Sequence, residues 1–213
     1  MAIITKIEAQ KKNDDRVNIY VDEKFFMAIY KELVFSFNLK KGQEIDTDYL
    51  KNILDDEMYI KAKNKALNIL SKASQSEKQI RQKLSKDFEE HTIDRVIEFL
   101  QKYKFVDDED LATRIVNTNV NLNKYGKNKI KQNLYNKGID KSIIEQAMNE
   151  IDSDKEFENA LYLGKKRYDR LKNEDPRKAY QKIGNHLAYK GFNYDIIKKV
   201  LNRLFNDIDE YSC

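Results

Sequence analysis

A short pattern recurs along the chain. Ile80-Arg81-Gln82-Lys83-Leu84 returns as Ile130-Lys131-Gln132-Asn133-Leu134 and, more loosely, as Ile183-Gly184-Asn185-His186-Leu187, at offsets of 50 and then 53 residues. Such self-similarity is a strong constraint, because repeated segments fold into repeated units that bury their apolar faces on neighbours. The spacing exceeds common two-helix periods and fits three short helices per unit. Each unit opens with an amphipathic run: Ala62, Ala66, Leu67 and Leu70; then Leu111, Ala112, Ile115 and Val116; then Phe157, Ala160 and Leu161. Each closes with another: Ile93, Val96, Ile97 and Leu100; Ile143, Ile144, Ala147 and Ile151; Ile196, Ile197, Val200 and Leu204. Lys137-Gly138-Ile139 and Lys190-Gly191-Phe192 place a glycine where the middle helix of units two and three ends, suited to a left-handed cap. Unit one has Lys86-Asp87-Phe88 there, so its turn must close differently.

The first segment is patterned otherwise. Ile4 to Ala9 partly alternates, Val17, Ile19 and Val21 share one face, and the polar Lys12-Asn13-Asp14-Asp15 between them signals a hairpin. After a turn at Asp22-Glu23-Lys24, Phe25 to Ile29 supplies a third strand, and a short helix over Glu32 to Phe37 covers the meander. Lys40-Lys41-Gly42-Gln43 breaks that helix. Asp46 or Thr47 caps the next, with Leu50, Ile53 and Leu54 as its apolar stripe.

The predicted fold is mainly α: three tandem three-helix repeats in an elongated array, preceded by a small antiparallel β meander. Its divisions are 1–57, 58–107, 108–153 and 154–213. One proline and six glycines in 213 residues favour long helices with short turns, and 36% charged residues suit stacked small units with little shared interior. The net charge of +4 is unevenly spread. Residues 1–57 carry 9 basic and 12 acidic groups and residues 58–107 carry 11 and 7; residues 108–153 balance at 7 each, and residues 154–213 carry 13 and 10.

Several function classes are excluded. No run approaches the roughly 18 apolar residues of a membrane span, and the first residues lack a secretory signal's apolar core, so a cytoplasmic protein is expected. The single cysteine, Cys213, excludes a structural disulfide and a Cys-based zinc site, while His91 and His186 have no metal-ligand spacing. Gly126-Lys127-Asn128 lacks the rest of a phosphate loop. Asp107-Asp108-Glu109-Asp110 directly precedes an apolar-periodic run and reads as a helix cap rather than a cation site. With no convergent catalytic pair, the chain is expected to be no enzyme and to need no cofactor. The thirteen tyrosines and ten phenylalanines read mostly as packing residues rather than base-stacking platforms.

What remains is basic surface. Lys165, Lys166, Arg167 and Arg170 form the densest cluster, and Lys78, Arg81, Lys83, Lys127, Lys129 and Lys131 surround the middle helices of units one and two. Such cations neutralise phosphates or meet acidic protein surface.

The repeated landmarks resemble the RecX family of bacterial RecA regulators. Ser76-Glu77-Lys78-Gln79-Ile80-Arg81-Gln82-Lys83-Leu84 looks like its Ser-Glu-x-x-Leu-Arg-x-Lys-Leu segment, Phe105 to Ala112 resembles its Asp-Asp-Glu-x-Phe-Ala junction, and Tyr125-Gly126-Lys127-Asn128-Lys129-Ile130 is similar to its Tyr-Gly-x-x-Arg-Ile signature. The resemblance covers residues 58–206, and the preceding segment looks like the strand-rich extension of low-GC Gram-positive members. This chain departs from the family pattern at Ala73-Ser74-Gln75 and at Asn117 and Asn119, where arginines are usual, which weakens bidentate phosphate recognition there. The resemblance implies a monomeric, non-catalytic protein that docks in the groove of the RecA–DNA filament and mostly inhibits recombinase, ATPase and coprotease activity, with possible direct contact to single- or double-stranded DNA. Two other readings stand beside it. One is an independent DNA-binding protein using helix-turn-helix-like basic units; the other is a helical adaptor for an unrelated partner.

Overall fold

In the computed structural model residues 2–11 and 13–206 are described; Lys12 of the expected turn and Cys213 lie outside the described residues. Alternation builds the head as expected. Strands β1 (Ala2–Gln10), β2 (Asn13–Val21) and β3 (Lys24–Tyr30) pair antiparallel, with Ile7 opposite Ile19 and Val17 opposite Ile29, so one face is apolar throughout. Asp22 and Glu23 both take positive φ, the geometry of a tight hairpin turn that usually calls for glycine. Thr5 compensates: its hydroxyl accepts from the Glu23 N–H (2.9 Å) and donates to the Tyr20 carbonyl (3.2 Å) beside a register shift in β1. A two-residue strand β4 (Glu44–Ile45), not foreseen from the pattern, adds to β1 and gives the order β3-β2-β1-β4.

Two helices cover the sheet's apolar face. Helix α1 (Lys31–Ser36) contributes Leu33, and the long α2 (Thr47–Leu70), capped by Asp46 accepting from the Tyr49 N–H, contributes Ile53 and Ile60. Helix α2 runs without a break through the boundary expected at 57/58. Of its expected stripe, Ile53 is buried, Leu54 is 42% exposed, and the side chain of Leu50 lies outside the described residues. The sheet is fastened to α2 by Glu57. Its buried carboxylate accepts from the Tyr30 N–H (2.8 Å) and pairs with Arg16 of β2 (2.8 Å) and with Lys61 (3.2 Å).

The remaining elements are helical. They are α3 (Glu77–Leu84), α4 (Glu90–Lys102), α5 (Asp108–Thr118), a π-helical turn (Asn119–Asn123), α6 (Lys127–Lys137), α7 (Lys141–Asn149), α8 (Ser153–Asp169), α9 (Pro176–Tyr189) and α10 (Tyr194–Asn206). The recurring positions form the cores: Ile80 and Leu84, Ile130 and Leu134, Ile183 and Leu187 are all fully buried. The chain divides into two compact units, one built from residues up to Ala73 with Ile80–Phe105, the other from Ser74–Gln79 with residues from Val106 on.

Within the second unit the same joint is made twice. In the first joint Ser76 caps α3 reciprocally with Gln79, while its hydroxyl also donates to the Lys137 carbonyl at the end of α6 (2.5 Å). The next amide, Glu77 N–H, donates to Asp108 at the start of α5 (3.0 Å). In the second joint Gly126 N–H donates to the Lys190 carbonyl at the end of α9 (3.0 Å) and Lys127 N–H to Glu156 of α8 (2.9 Å). In each joint a free amide at the start of the middle helix, Glu77 N–H or Lys127 N–H, is therefore satisfied by a carboxylate further along the chain, Asp108 or Glu156. The second joint is the closer one, because a Cβ on Gly126 would fall 2.5 Å from the backbone of Gly191 and Phe192, and one on Gly191 (φ +91°) would strike the backbone of Lys129.

Three stability outcomes follow from these packings. Glu57→Ala leaves Arg16 without its buried partner and is expected to cost about 3–5 kcal/mol in urea denaturation. Gly191→Ala, blocked by backbone and by φ, should cost about 2–4 kcal/mol. Gly138→Ala meets only the Lys78 side chain and should lose about 1–2 kcal/mol.

Candidate functional site

The second joint pairs cations with aromatic rings across its two sides. Lys190 Nζ lies over the Tyr125 ring (4.9 Å) and Lys129 Nζ over Tyr189 (5.6 Å), so each side of the joint supplies a cation to the other side's aromatic. Lys131 lies over Tyr135 and Lys124 over Tyr162 nearby in sequence. Tyr189, Tyr162 and Tyr135 are 74%, 52% and 46% exposed. Lys127 is partly buried beside Glu156, 4.0 Å from its carboxylate.

The loop that presents Tyr125 is shaped by Asn119. Its side chain donates to the Ile115 carbonyl (2.7 Å) and accepts from Asn123 (3.2 Å) and Asn133 (3.3 Å), while its carbonyl accepts from the Tyr125 N–H (3.0 Å). These bonds open the end of α5 into the π turn, which closes on Lys124 in the left-handed conformation (φ +53°). Asn159 of α8 ties the turn down through the Val120 carbonyl (2.9 Å).

Of the predicted cluster on α8, Lys165, Lys166 and Arg170 are exposed and Arg167 is half-buried. Arg167 and Arg170, with Lys190, bear on His186 of α9. Burial lowers the imidazole below its ordinary pKa of 6.5, and these three cations lower it further. The Arg167 Nε is shielded from solvent with no acceptor among the described residues. Thus Arg167, Arg170 and Lys190 share His186 as a neighbour, and the carbonyl of Lys190 itself anchors the joint through the Gly126 N–H, next to Lys127 in sequence. Arg81 serves a different purpose, since it is ion-paired with Glu90 (3.1 Å) and Asp94 (2.6 Å). Lys78 packs its stem on Gly138, and Lys83 is exposed on α3.

Comparison with known proteins gives the arrangement a lineage. Four family models match in order: the regulatory protein RecX N-terminal domain over residues 2–46, and the RecX first, second and third three-helix domains over 62–100, 107–148 and 154–201. The chain belongs to the RecX family. It is 69% identical over 211 residues to the regulatory protein RecX of Clostridioides difficile (strain 630), covering 99% of both chains, and 44% identical to that of Clostridium tetani, covering 94% of both. A crystal structure of regulatory protein RecX superimposes with a TM-score of 0.75 at 31% identity over 94% of this chain and 98% of the other. RecX from Lactobacillus salivarius matches with a TM-score of 0.64 at 33% identity over 70% and 97%.

Against the RecX background the acidic Asp107–Asp110 run has a structural task. Asp107 caps α5 through the Asp110 N–H (3.0 Å), Asp108 accepts from Glu77, and Asp110 pairs with Arg114 (2.8 Å). Among the described residues no group of His, Cys, Asp or Glu could hold a metal ion, and no helix is long and apolar enough to cross a membrane. Sequence reasoning missed Tyr189 and Tyr135 as the ring partners of the predicted Lys129 and Lys131, and missed the Lys190–Tyr125 pair. The Asn117 to Asn123 stretch, rich in a residue that bonds locally to backbone, was the signal for the π turn.

His186 reports on this cluster. Its lowered pKa means that the folded state resists protonation, so the stability it contributes is complete above the ordinary value and is lost as pH falls below about 6.5 through the folded value. NMR titration should place His186 below the free-histidine value, and a seated polyanion such as heparin should raise it by offsetting Lys190, Arg167 and Arg170. A His186 titration unmoved by heparin would mean that anions do not occupy the cluster.

Proposed function

We propose that this chain is a non-enzymatic regulator that docks along the RecA–DNA filament and restrains its recombinase, ATPase and coprotease activities. The observation that carries this reading is the ordered match of four RecX domains together with 69% identity to a curated regulatory protein RecX across nearly its whole length. The geometry supports it in two ways. Tandem units offer linked contacts to a periodic partner, and linked weak contacts multiply affinity without one tight pocket. Lys129 and Lys190 flank the main-chain contact of the second joint, and Lys190, Arg167 and Arg170 all act on His186, a concentration of positive charge that suits an anionic filament surface of protein and DNA.

The test is RecA ATPase on single-stranded DNA with the full chain titrated in. Inhibition at micromolar concentration or below is expected, and no change in rate would reject the proposal. A Lys165→Glu, Lys166→Glu, Arg170→Glu variant alters only exposed groups and should weaken inhibition about tenfold or more while melting like the parent. Nanomolar, steeply salt-dependent binding to duplex DNA by the protein alone would favour an independent DNA-binding protein instead.

A further inference from the structure

The first unit carries an aromatic and cationic face of its own, made by α2, α4 and the turn that follows α4. Phe99 stands at its centre, 4.8 Å from the Tyr103 ring and 6.2 Å from that of Phe105, the latter nearly parallel at 24°. Tyr103 and Phe105 are 58% and 52% exposed, although Leu100 and Val106 beside them are buried. Cations border the rings. Lys63 Nζ lies 5.3 Å from Tyr59 and 5.5 Å from Phe99, Arg95 lies 4.5 Å over Tyr59, and Lys102 lies 5.9 Å from Tyr103. Between Tyr103 and Phe105, Lys104 adopts φ +56°, a position where glycine would be the less costly residue, so the chain turns with a cation at its tip. A shallow depression of about 300 Å³ bounded by Tyr59, Arg95, Glu98, Phe99, Lys102 and Tyr103 lies alongside.

We infer that this face binds single-stranded nucleic acid, with bases stacked on Tyr103 and Phe105 and phosphates against Lys63, Lys102 and Lys104. Two exposed rings on an otherwise polar surface offer apolar faces of the size of a base, and stacking of this kind tolerates any base. In a duplex those base faces are occupied by their neighbours, so an unpaired strand fits and a duplex does not. Charge points the same way. Asp56 is engaged by Arg95 at 2.8 Å, whereas among the described residues no carboxylate lies within ion-pair distance of Lys63, Lys102 or Lys104. An acidic protein segment would use the lysines but leave the ring faces uncovered.

The binding needs no other protein, so its failure leaves the filament reading standing, and failure of the ATPase test leaves this one standing. The experiment is fluorescence anisotropy of a labelled oligothymidylate about 15 nucleotides long, titrated with the full chain. Saturable binding is expected, weakened about tenfold by Tyr103→Ala and by Phe105→Ala and retained by Tyr103→Phe, which keeps the ring. A Lys63→Ala, Lys102→Ala variant should flatten the salt dependence, a readout that stands even if an aromatic variant folds poorly. The proposal is overturned by absence of saturable binding, or by unchanged affinity in Tyr103→Ala and Phe105→Ala. It is equally overturned if a duplex of the same length binds as tightly, or if polyglutamate displaces the oligonucleotide as well as unlabelled oligothymidylate does.

Discussion

The second unit depends on what happens to the first backbone amides of its middle helices. A helix begins with donors that have no partner inside it, and leaving them buried and unsatisfied costs about 1–3 kcal/mol each. Here Glu77 N–H and Lys127 N–H each donate to a carboxylate of the next repeat, Asp108 and Glu156, and the preceding residues Ser76 and Gly126 reach the terminal carbonyl of that repeat's own middle helix. At the second joint one repeat is thus incomplete without its successor. This coupling also explains a burial that otherwise opposes charge: Glu156 is only 4% exposed because its oxygens belong to the joint. Asp108 is only partly buried, yet that burial raises its pKa despite the stabilising Glu77 amide.

Much of this was legible in the sequence, and the reason is periodicity. Ile80, Ile130 and Ile183 could be equated by spacing alone, and all three are fully buried, because core positions are dictated by which side of a helix faces its neighbours. Asp46 and Asp107 were legible as caps because capping is local chemistry. The functions of Gly138 and Gly191 as helix stops were equally local, with φ of +77° and +91°. Hidden from the sequence was everything that depends on two distant segments meeting: β4 against β1, Glu57 fastening the sheet, and Gly126 meeting Gly191 across 65 residues. Gly126 has too little of a phosphate loop around it to point to nucleotide chemistry, and its missing side chain is what lets two backbones touch.

The candidate site divides along the same line. Lysines could be counted from the sequence, but their chemistry is decided by the rings beneath them, and Lys190 and Tyr125, like Lys129 and Tyr189, come from different repeats. The aromatic residues divide too. Phe192 is packed as expected, while Tyr189, Tyr103 and Phe105 present their rings to solvent, a distinction composition cannot make. Arginine, scarce here, is used mainly where a fixed geometry is needed: Arg16 on Glu57, Arg81 on two acids, Arg95 on Asp56 and over Tyr59.

Because the Gly126–Gly191 joint is made by main chain on main chain, its geometry is indifferent to the side chains that decorate the helices it connects. Scaffold and recognition are thereby separated in heredity. Surface lysines and tyrosines can drift to follow a changing partner without disturbing the angle between repeats, while two glycines and one buried glutamate cannot. Divergence among relatives is then expected to accumulate on the outward faces of α6, α8 and α9 and to spare the few atoms through which one repeat holds the next.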